Sequence, residues 1–136
     1  MSLYLLDTNI SSYIIKGNFP VVRERLCQVP MSEISISVVT QAELLYGVAK
    51  RGNPTALTKR VNEFLIRVNV LAWTAGVAEV YADLRVACER VGVTLSPLDL
   101  FIAAHAKAVG AVLVTSDQAF RLIPGEIKLE DWTRFE

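Results

Sequence analysis

The stretch that decides the fold is YLLDTN, residues 4–9, near the start of the chain. Together with Leu3, its first residues form a short apolar run, which predicts a buried strand. Asp7 follows that run at once, with Thr8 and Asn9 beside it. A carboxylate next to a hydrophobic core is costly unless something compensates it. A helix start or a metal ion would do so, and the stretch alone leaves both open.

The same order of a short apolar strand and an amphipathic helix recurs along the chain. Strands are predicted at residues 3–6, 34–39, 68–73, 111–115 and, at an edge, 127–132. Helices are predicted at residues 9–16, 21–28, 40–50, 55–68, 74–91 and 96–109. Alternating strands and helices with apolar central strands predict an α/β fold, a parallel sheet of about five strands with helices on both faces.

The bulk composition predicts one domain over residues 1–136, with one hydrophobic core. Apolar residues make up 52% of the chain, so we expect a partner or a second copy to cover some apolar surface. Cys27 and Cys88 lack metal-ligand or disulfide spacing and are interpreted as small buried hydrophobes in a reducing cytoplasm. We expect no signal peptide and no membrane span.

The charge balance argues against a broad nucleic-acid-binding face, because 14 basic residues offset 14 acidic ones. A local basic rim remains possible around an acidic centre. Setting four candidate site acids aside leaves 14 − 4 = 10 acids against 14 bases on the rest of the chain. The candidates for that rim are Lys50, Arg51, Arg85, Lys107 and Arg121.

Four acids fall at similar points of the predicted elements: Asp7, Glu43, Asp99 and Asp117. Asp7 and Asp117 follow strands, while Glu43 and Asp99 lie in predicted first turns of helices. Strand carboxyl ends and the starts of the neighbouring helices share one edge of a parallel sheet. We therefore expect the four carboxylates to converge there.

Each acid also has a structural interpretation, which is a helix cap. The segments TQAE (40–43) and SPLD (96–99) match a capping box, and Asp7 and Asp117 suit N-cap positions. Convergence is what favours a metal site, because clustered carboxylates repel unless a cation lies among them. An all-oxygen set suits Mg²⁺ or Mn²⁺, which support phosphodiester hydrolysis.

The motifs YLLDTN, SVVTQAELLYG, SPLDLFIAAHA, VLVTSDQAF and LEDW resemble those of a PIN domain. More narrowly, they are similar to the VapC toxins of bacterial toxin–antitoxin pairs, in the same order from residue 3 to residue 132. The resemblance implies a cytoplasmic, metal-dependent endoribonuclease, the toxin of a type II pair, with an antitoxin that blocks its site, and a homodimer. The family's site acids fall on Asp7, Glu43, Asp99 and Asp117, and a family hydroxyl falls on Thr115.

Two other functions remain open from the residues. The first is a catalytically silent binding module whose acids are only caps. The second is an acid-cluster phosphatase with Asp7 as nucleophile, which usually needs a second Asp two residues on, where this chain has Asn9. The single histidine, His105, is interpreted as a packing or surface residue. Trp73 and Trp132 are placed at the edge of the core, and Tyr46 and Tyr81 within it.

Overall fold

A computed structural model describes residues 2–134 of the chain. Within that range, five strands form one sheet in which every pairing is parallel. The strands are β1 (Tyr4–Leu6), β2 (Ile34–Ser37), β3 (Asn69–Leu71), β4 (Val112–Val114) and β5 (Leu129–Glu130). Their spatial order is β3-β2-β1-β4-β5. The predicted parallel α/β sheet is confirmed.

Six α-helices surround the sheet in the described range: α1 (Thr8–Lys16), α2 (Pro20–Cys27), α3 (Val38–Lys50), α4 (Thr55–Arg67), α5 (Ala75–Arg90) and α6 (Pro97–Val109). Helix α6 begins as the sequence predicts, with the Ser96 side chain accepting a hydrogen bond from the Asp99 amide. It ends at Gly110, whose positive φ of 69° suits glycine. No helix of residues 2–134 is long and apolar enough to cross a membrane.

The core has two halves, one on each face of the sheet. Neighbouring strand residues point to opposite faces, so Leu5 packs with α5 and α6, whereas Leu6 packs with α1, α2, α3 and α4. Both leucines are fully buried. Helices thus cover both faces, as predicted, and the central strand β1 carries buried leucines toward both faces because neither face meets water there.

The order of the strands places a switch point at β1. The chain moves from β1 to β2 and β3 on one side, and then crosses to β4 and β5 on the other. Ligand sites in open α/β sheets form beyond the carboxyl ends of the strands at such a point. The Asp7 amide donates to the Val114 carbonyl at 3.0 Å, which ties the ends of β1 and β4 together there.

The strand predicted at residues 34–39 is too long. It ends at Ser37, and the β-branched Val38 and Val39 form the first turn of α3. The Ser37 side chain caps this helix by accepting from the Val39 amide at 3.1 Å, which outweighs the strand preference of two valines. The predicted capping box at residues 40–43 is therefore wrong, and Glu43 lies in the second turn of α3.

Three predictions of side-chain burial fail. Tyr46 is 65% exposed, because Thr40, Leu44 and Val48 define the inward stripe of α3 and residue 46 lies away from it. Cys27 is exposed at the end of α2, whereas Cys88 is buried as expected. Trp132 is fully buried rather than at the core edge.

Candidate active site at the carboxyl edge

Asp7 is the most enclosed acid of the candidate site. It directly follows β1 and caps α1, with Oδ1 accepting from the Ile10 amide at 2.8 Å. Its own carbonyl accepts from the Ser11 hydroxyl at 2.9 Å. Only 4% of the residue is exposed. The end of β1 and the start of α1 therefore hold the carboxylate in one orientation.

The pKa of Asp7 is raised to about 6, mainly because burial penalises the charged carboxylate. The Ile10 amide and the Thr115 hydroxyl partly offset this by hydrogen-bonding to the charged form. The negative charges of Asp99 and Asp117 raise the pKa further. These two contributions place all three aspartates within electrostatic reach of one another, although their elements are far apart in sequence.

Asp99 lies in the first turn of α6 and is partly buried. Its backbone amide donates to the Ser96 Oγ at 3.2 Å. Burial raises the pKa of Asp99 most, and the charge of Asp117 adds to the rise. The start of α6 therefore brings a second carboxyl group toward the same negative centre.

Asp117 follows β4 after a short turn. Its Oδ1 accepts from the Ala119 amide at 2.9 Å and so caps the 3₁₀ turn at Gln118–Leu122. Its own amide donates to Thr115 Oγ1 at 3.1 Å. Thr115, the hydroxyl named from the resemblance, is buried and connects Asp117 with Asp7.

Glu43 is not one of the charges that shift the pKa of Asp7. Its Oε1 accepts from the Thr8 hydroxyl at 2.6 Å. Thr8 is the first residue of α1 and also lies 3.2 Å from the Thr40 hydroxyl. Glu43 is thus joined to the segment that carries Asp7 through a hydroxyl.

The donor set is made of carboxylates and hydroxyls, the oxygen ligands that Mg²⁺ and Mn²⁺ favour. Within residues 2–134, however, no three Asp, Glu, His or Cys side chains converge closely enough to hold a metal ion. The charges of Asp99 and Asp117 contribute to the raised pKa of Asp7, and that of Asp117 to the raised pKa of Asp99, so the three aspartates lie within electrostatic reach of one another, while Glu43 is linked to Asp7 only through Thr8. Metal ligation by these four residues stays a prediction.

The predicted basic rim is only partly near this centre. Arg121 lines a cavity with Asp117, and Arg51 lines a cleft with Glu43. Lys107 lies in the last turn of α6, about 12 Å along that helix from Asp99. Arg85 bonds to the Tyr81 hydroxyl and pairs with Glu89 on α5.

A buried polar pair near the site was missed by the sequence reasoning. His105 Nδ1 lies 2.7 Å from the Ser37 hydroxyl, and the histidine is 1% exposed. Its ring also bonds to the Ala72 carbonyl, and burial lowers its pKa. The packing interpretation of His105 is confirmed, and Ser37 joins the start of α3 to α6. The only signal in the sequence was a serine within the strand predicted at residues 34–39.

The family model described as the PIN domain matches residues 4–126, which include all four candidate acids. The chain belongs to the PIN-domain family.

Full-length relatives narrow the family further. The tRNA(fMet)-specific endonuclease VapC of Shigella flexneri is 33% identical over 133 residues, covering 98% of this chain and all of that protein. Ribonuclease VapC2 of Rickettsia felis is 34% identical over 134 residues, covering 97% of this chain and 99% of that protein. Within the family, the chain is one of the VapC ribonucleases of toxin–antitoxin systems.

Solved structures agree with this assignment. The DNA-bound VapBC of Salmonella typhimurium matches with a TM-score of 0.89 and 35% identity, over 97% of this chain and 99% of that chain. VapBC2 from Rickettsia felis, bound to a DNA fragment from its promoter, matches with a TM-score of 0.88 and 33% identity, over 96% of this chain and 98% of that one.

Proposed function

We propose that this protein is an Mg²⁺- or Mn²⁺-dependent endoribonuclease and the toxin of a type II toxin–antitoxin pair. It hydrolyses RNA phosphodiesters at the edge where β1 and β4 end. Asp7 and Asp99 bind the metal, and Asp117 and Glu43 complete the site directly or through water. Membership among the VapC ribonucleases supports the reaction class.

The observation that carries the proposal is the setting of Asp7. A carboxyl group with a pKa near 6, buried and facing two further acids, destabilises a protein that has no cation there. A cap alone gives no reason for such a setting, because a cap works equally well on the surface. A site that binds a divalent ion does give one.

The chain's own groups orient the carboxylates for this role. The Ile10 amide and the Thr115 hydroxyl hold Asp7, and the Thr8 hydroxyl holds Glu43. Such hydrogen bonds fix which oxygens face the centre. When bound, Mg²⁺ or Mn²⁺ offsets phosphate charge and makes water a stronger nucleophile. Binding would have to draw the acidic side chains closer together than they now lie.

The partner and substrate follow from the relatives as proposals. The chains that match in Salmonella typhimurium and Rickettsia felis come from VapBC assemblies, so we propose a cognate antitoxin that covers the acidic edge. Transfer RNA is the first substrate to test, because the Shigella flexneri relative is named for tRNA(fMet). We also propose that the protein is a single domain over residues 1–136 and forms a homodimer in the cytoplasm. The exposed apolar residues Leu45 and Tyr46 are candidates for contact with the second copy.

The competing function is a catalytically silent binding module whose acids are caps. Its support is direct, since Asp7 and Asp117 both cap helical segments through Oδ1. The phosphatase alternative has less support, because an exposed Asn9 stands where that chemistry needs a second acid.

The proposal is tested by incubating the purified protein with RNA, with and without Mg²⁺ or Mn²⁺, and mapping the new ends. We expect cleavage that EDTA stops and added metal restores. Asp7→Asn should lower kcat/KM at least about 100-fold, the loss that even outer-shell changes at metal sites reach. Asp83→Asn, an exposed change on α5, is the matched control. Cleavage by Asp7→Asn at the wild-type rate would contradict metal binding by Asp7, and a wild type that cuts no RNA with either metal would leave the cap-only module as the better function.

A further inference from the structure

A cleft of about 170 Å³ opens beside Glu43, between α1, α3 and α4. At roughly 30 Å³ per water molecule, it has room for one heterocyclic ring system and not for a helix. Its floor is apolar and mostly buried, formed by Leu44, Val48, Leu57 and Val61. Its mouth is polar, formed by Thr8, Asn9, Ser12 and Glu43.

Gly47 lines this cleft from the interior of α3. A glycine inside a helix lowers stability relative to alanine. The backbone does not require it, because Gly47 is not among the glycines with positive φ. Packing does not require it either, because a Cβ at this position would meet nothing within 4 Å. The missing side chain leaves open space, and this points to an occupant from outside the chain.

The charges around the cleft indicate what that occupant is. Lys16 and Arg51 both line it, at the ends of α1 and α3. Cations beside an apolar floor match a nucleotide, because the phosphates meet the cations and the flat face of the base meets the floor. The amide of Asn9 and the hydroxyl of Ser12 add donors and acceptors for the edge of a base.

The cleft is also continuous with the proposed catalytic site. Thr8 lines it and hydrogen-bonds to Glu43, and Thr8 directly follows Asp7 in the chain. A base seated in the cleft therefore belongs to a nucleotide close to the phosphodiester at Asp7. We propose that the cleft between α1, α3 and α4 binds one base of the RNA beside the cleaved bond. The inference rests on the proposed ribonuclease function and assigns it a base-recognition subsite.

The test fills the cleft from Gly47. Gly47→Leu adds a good helix former into open space, so the fold should remain, and Gly47→Ala is a milder version. The matched control is Gly76→Leu, on α5, where a Cβ meets only Thr74 Oγ1 at 3.7 Å. The substrate is a short RNA containing the mapped cut, together with versions in which one flanking nucleotide at a time lacks its base.

We expect one flanking position at which removing the base lowers wild-type kcat/KM about 10-fold, the typical loss of an apolar group from its pocket. Gly47→Leu should lower kcat/KM on intact RNA by a similar factor. The kcat/KM of this variant should be the same on the RNA that lacks the base as on intact RNA. Gly76→Leu should behave as the wild type does. The shared loss is the signature of a base in this cleft.

Two results would overturn the subsite. One is cleavage of intact RNA by Gly47→Leu at the wild-type rate. If that variant cleaves normally and loses only antitoxin binding, the cleft is a binding site for the antitoxin and not for a base. The other is a full additional loss on the abasic substrate. Wild-type cleavage that Asp7→Asn abolishes keeps the proposed function whichever result appears. An inactive wild type would remove the function and the subsite together.

Discussion

Two groups of acids lie at the same edge of the sheet and differ in how their charge is compensated. At β5, Arg25 pairs with Glu130 at 2.9 Å, and Arg134 lies 3.6 Å from Asp131. The Trp132 indole also donates to Glu130 at 3.0 Å. At the ends of β1 and β4, by contrast, no Lys or Arg of residues 2–134 forms an ion pair with any of the three aspartates.

The difference separates structural acids from candidate functional ones. Asp7 and Asp131 are similarly enclosed, at 4% and 7% exposure. Asp131 is held by an arginine and by the amide and hydroxyl of Thr133. Asp7 meets two like charges, and its pKa is raised to about 6. A buried acid opposed by its surroundings is a candidate for function, because the fold alone gains nothing from the charge.

The largest effect should come from removing the charge of Asp7. Asp7→Asn keeps a good N-cap for the Ile10 amide and abolishes the buried carboxylate. In EDTA at pH 8 we expect the variant to be more stable than the wild type by about 2–3 kcal/mol, the equivalent of a rise from 3.8 to about 6. Urea unfolding measures the difference.

The pH dependence gives the sign of this effect. A carboxyl whose pKa is raised by folding contributes stability that is present below the unfolded value of 3.8 and lost as pH rises through about 6. The gap between Asp7→Asn and the wild type should therefore vanish below pH 3.8 and be complete above pH 6. Asp131→Asn is the control and should not gain stability at any pH. A gap at Asp7 that stays constant with pH would contradict the buried-charge explanation.

Metal binding should compensate the charge of the three aspartates, as the arginines compensate the charge of Glu130 and Asp131. Mg²⁺ that binds the folded protein at ten times its dissociation constant stabilises it by about 1.4 kcal/mol. We expect this rise in the wild type and in Asp131→Asn, but not in Asp99→Asn, as measured by thermal unfolding with and without EDTA. Equal metal responses in Asp99→Asn and in the wild type would remove Asp99 from the ligand set.

The sequence made one group of acids predictable and concealed the other. Asp7, Asp99 and Asp117 follow local rules, since each lies after a short apolar strand or after a capping serine, and parallel strands end at one edge. The pair of Arg25 and Glu130 is separated by 105 positions, and no local pattern connects them. Glu43 is an intermediate case. The sequence predicted the helix that carries it, but the cap at Ser37 starts that helix two residues earlier than predicted.

The smallest effect should come from the compensated group. Arg25 and Glu130 are 32% and 35% exposed, and the Arg25 guanidinium also lies 5.7 Å from the centre of the Trp132 ring. Arg25→Ala should therefore lower stability by only about 0.5–1 kcal/mol, because water screens a partly exposed pair. Urea unfolding at low and high salt separates the two contributions to this loss of stability. The contribution of the ion pair with Glu130 decreases with salt, whereas that of the stacking on Trp132 does not. RNA cleavage should be unchanged, because the ion pair between Arg25 and Glu130 contributes to the stability of the fold and not to the reaction. A large loss of cleavage in Arg25→Ala would mean that the two groups of acids act as one site.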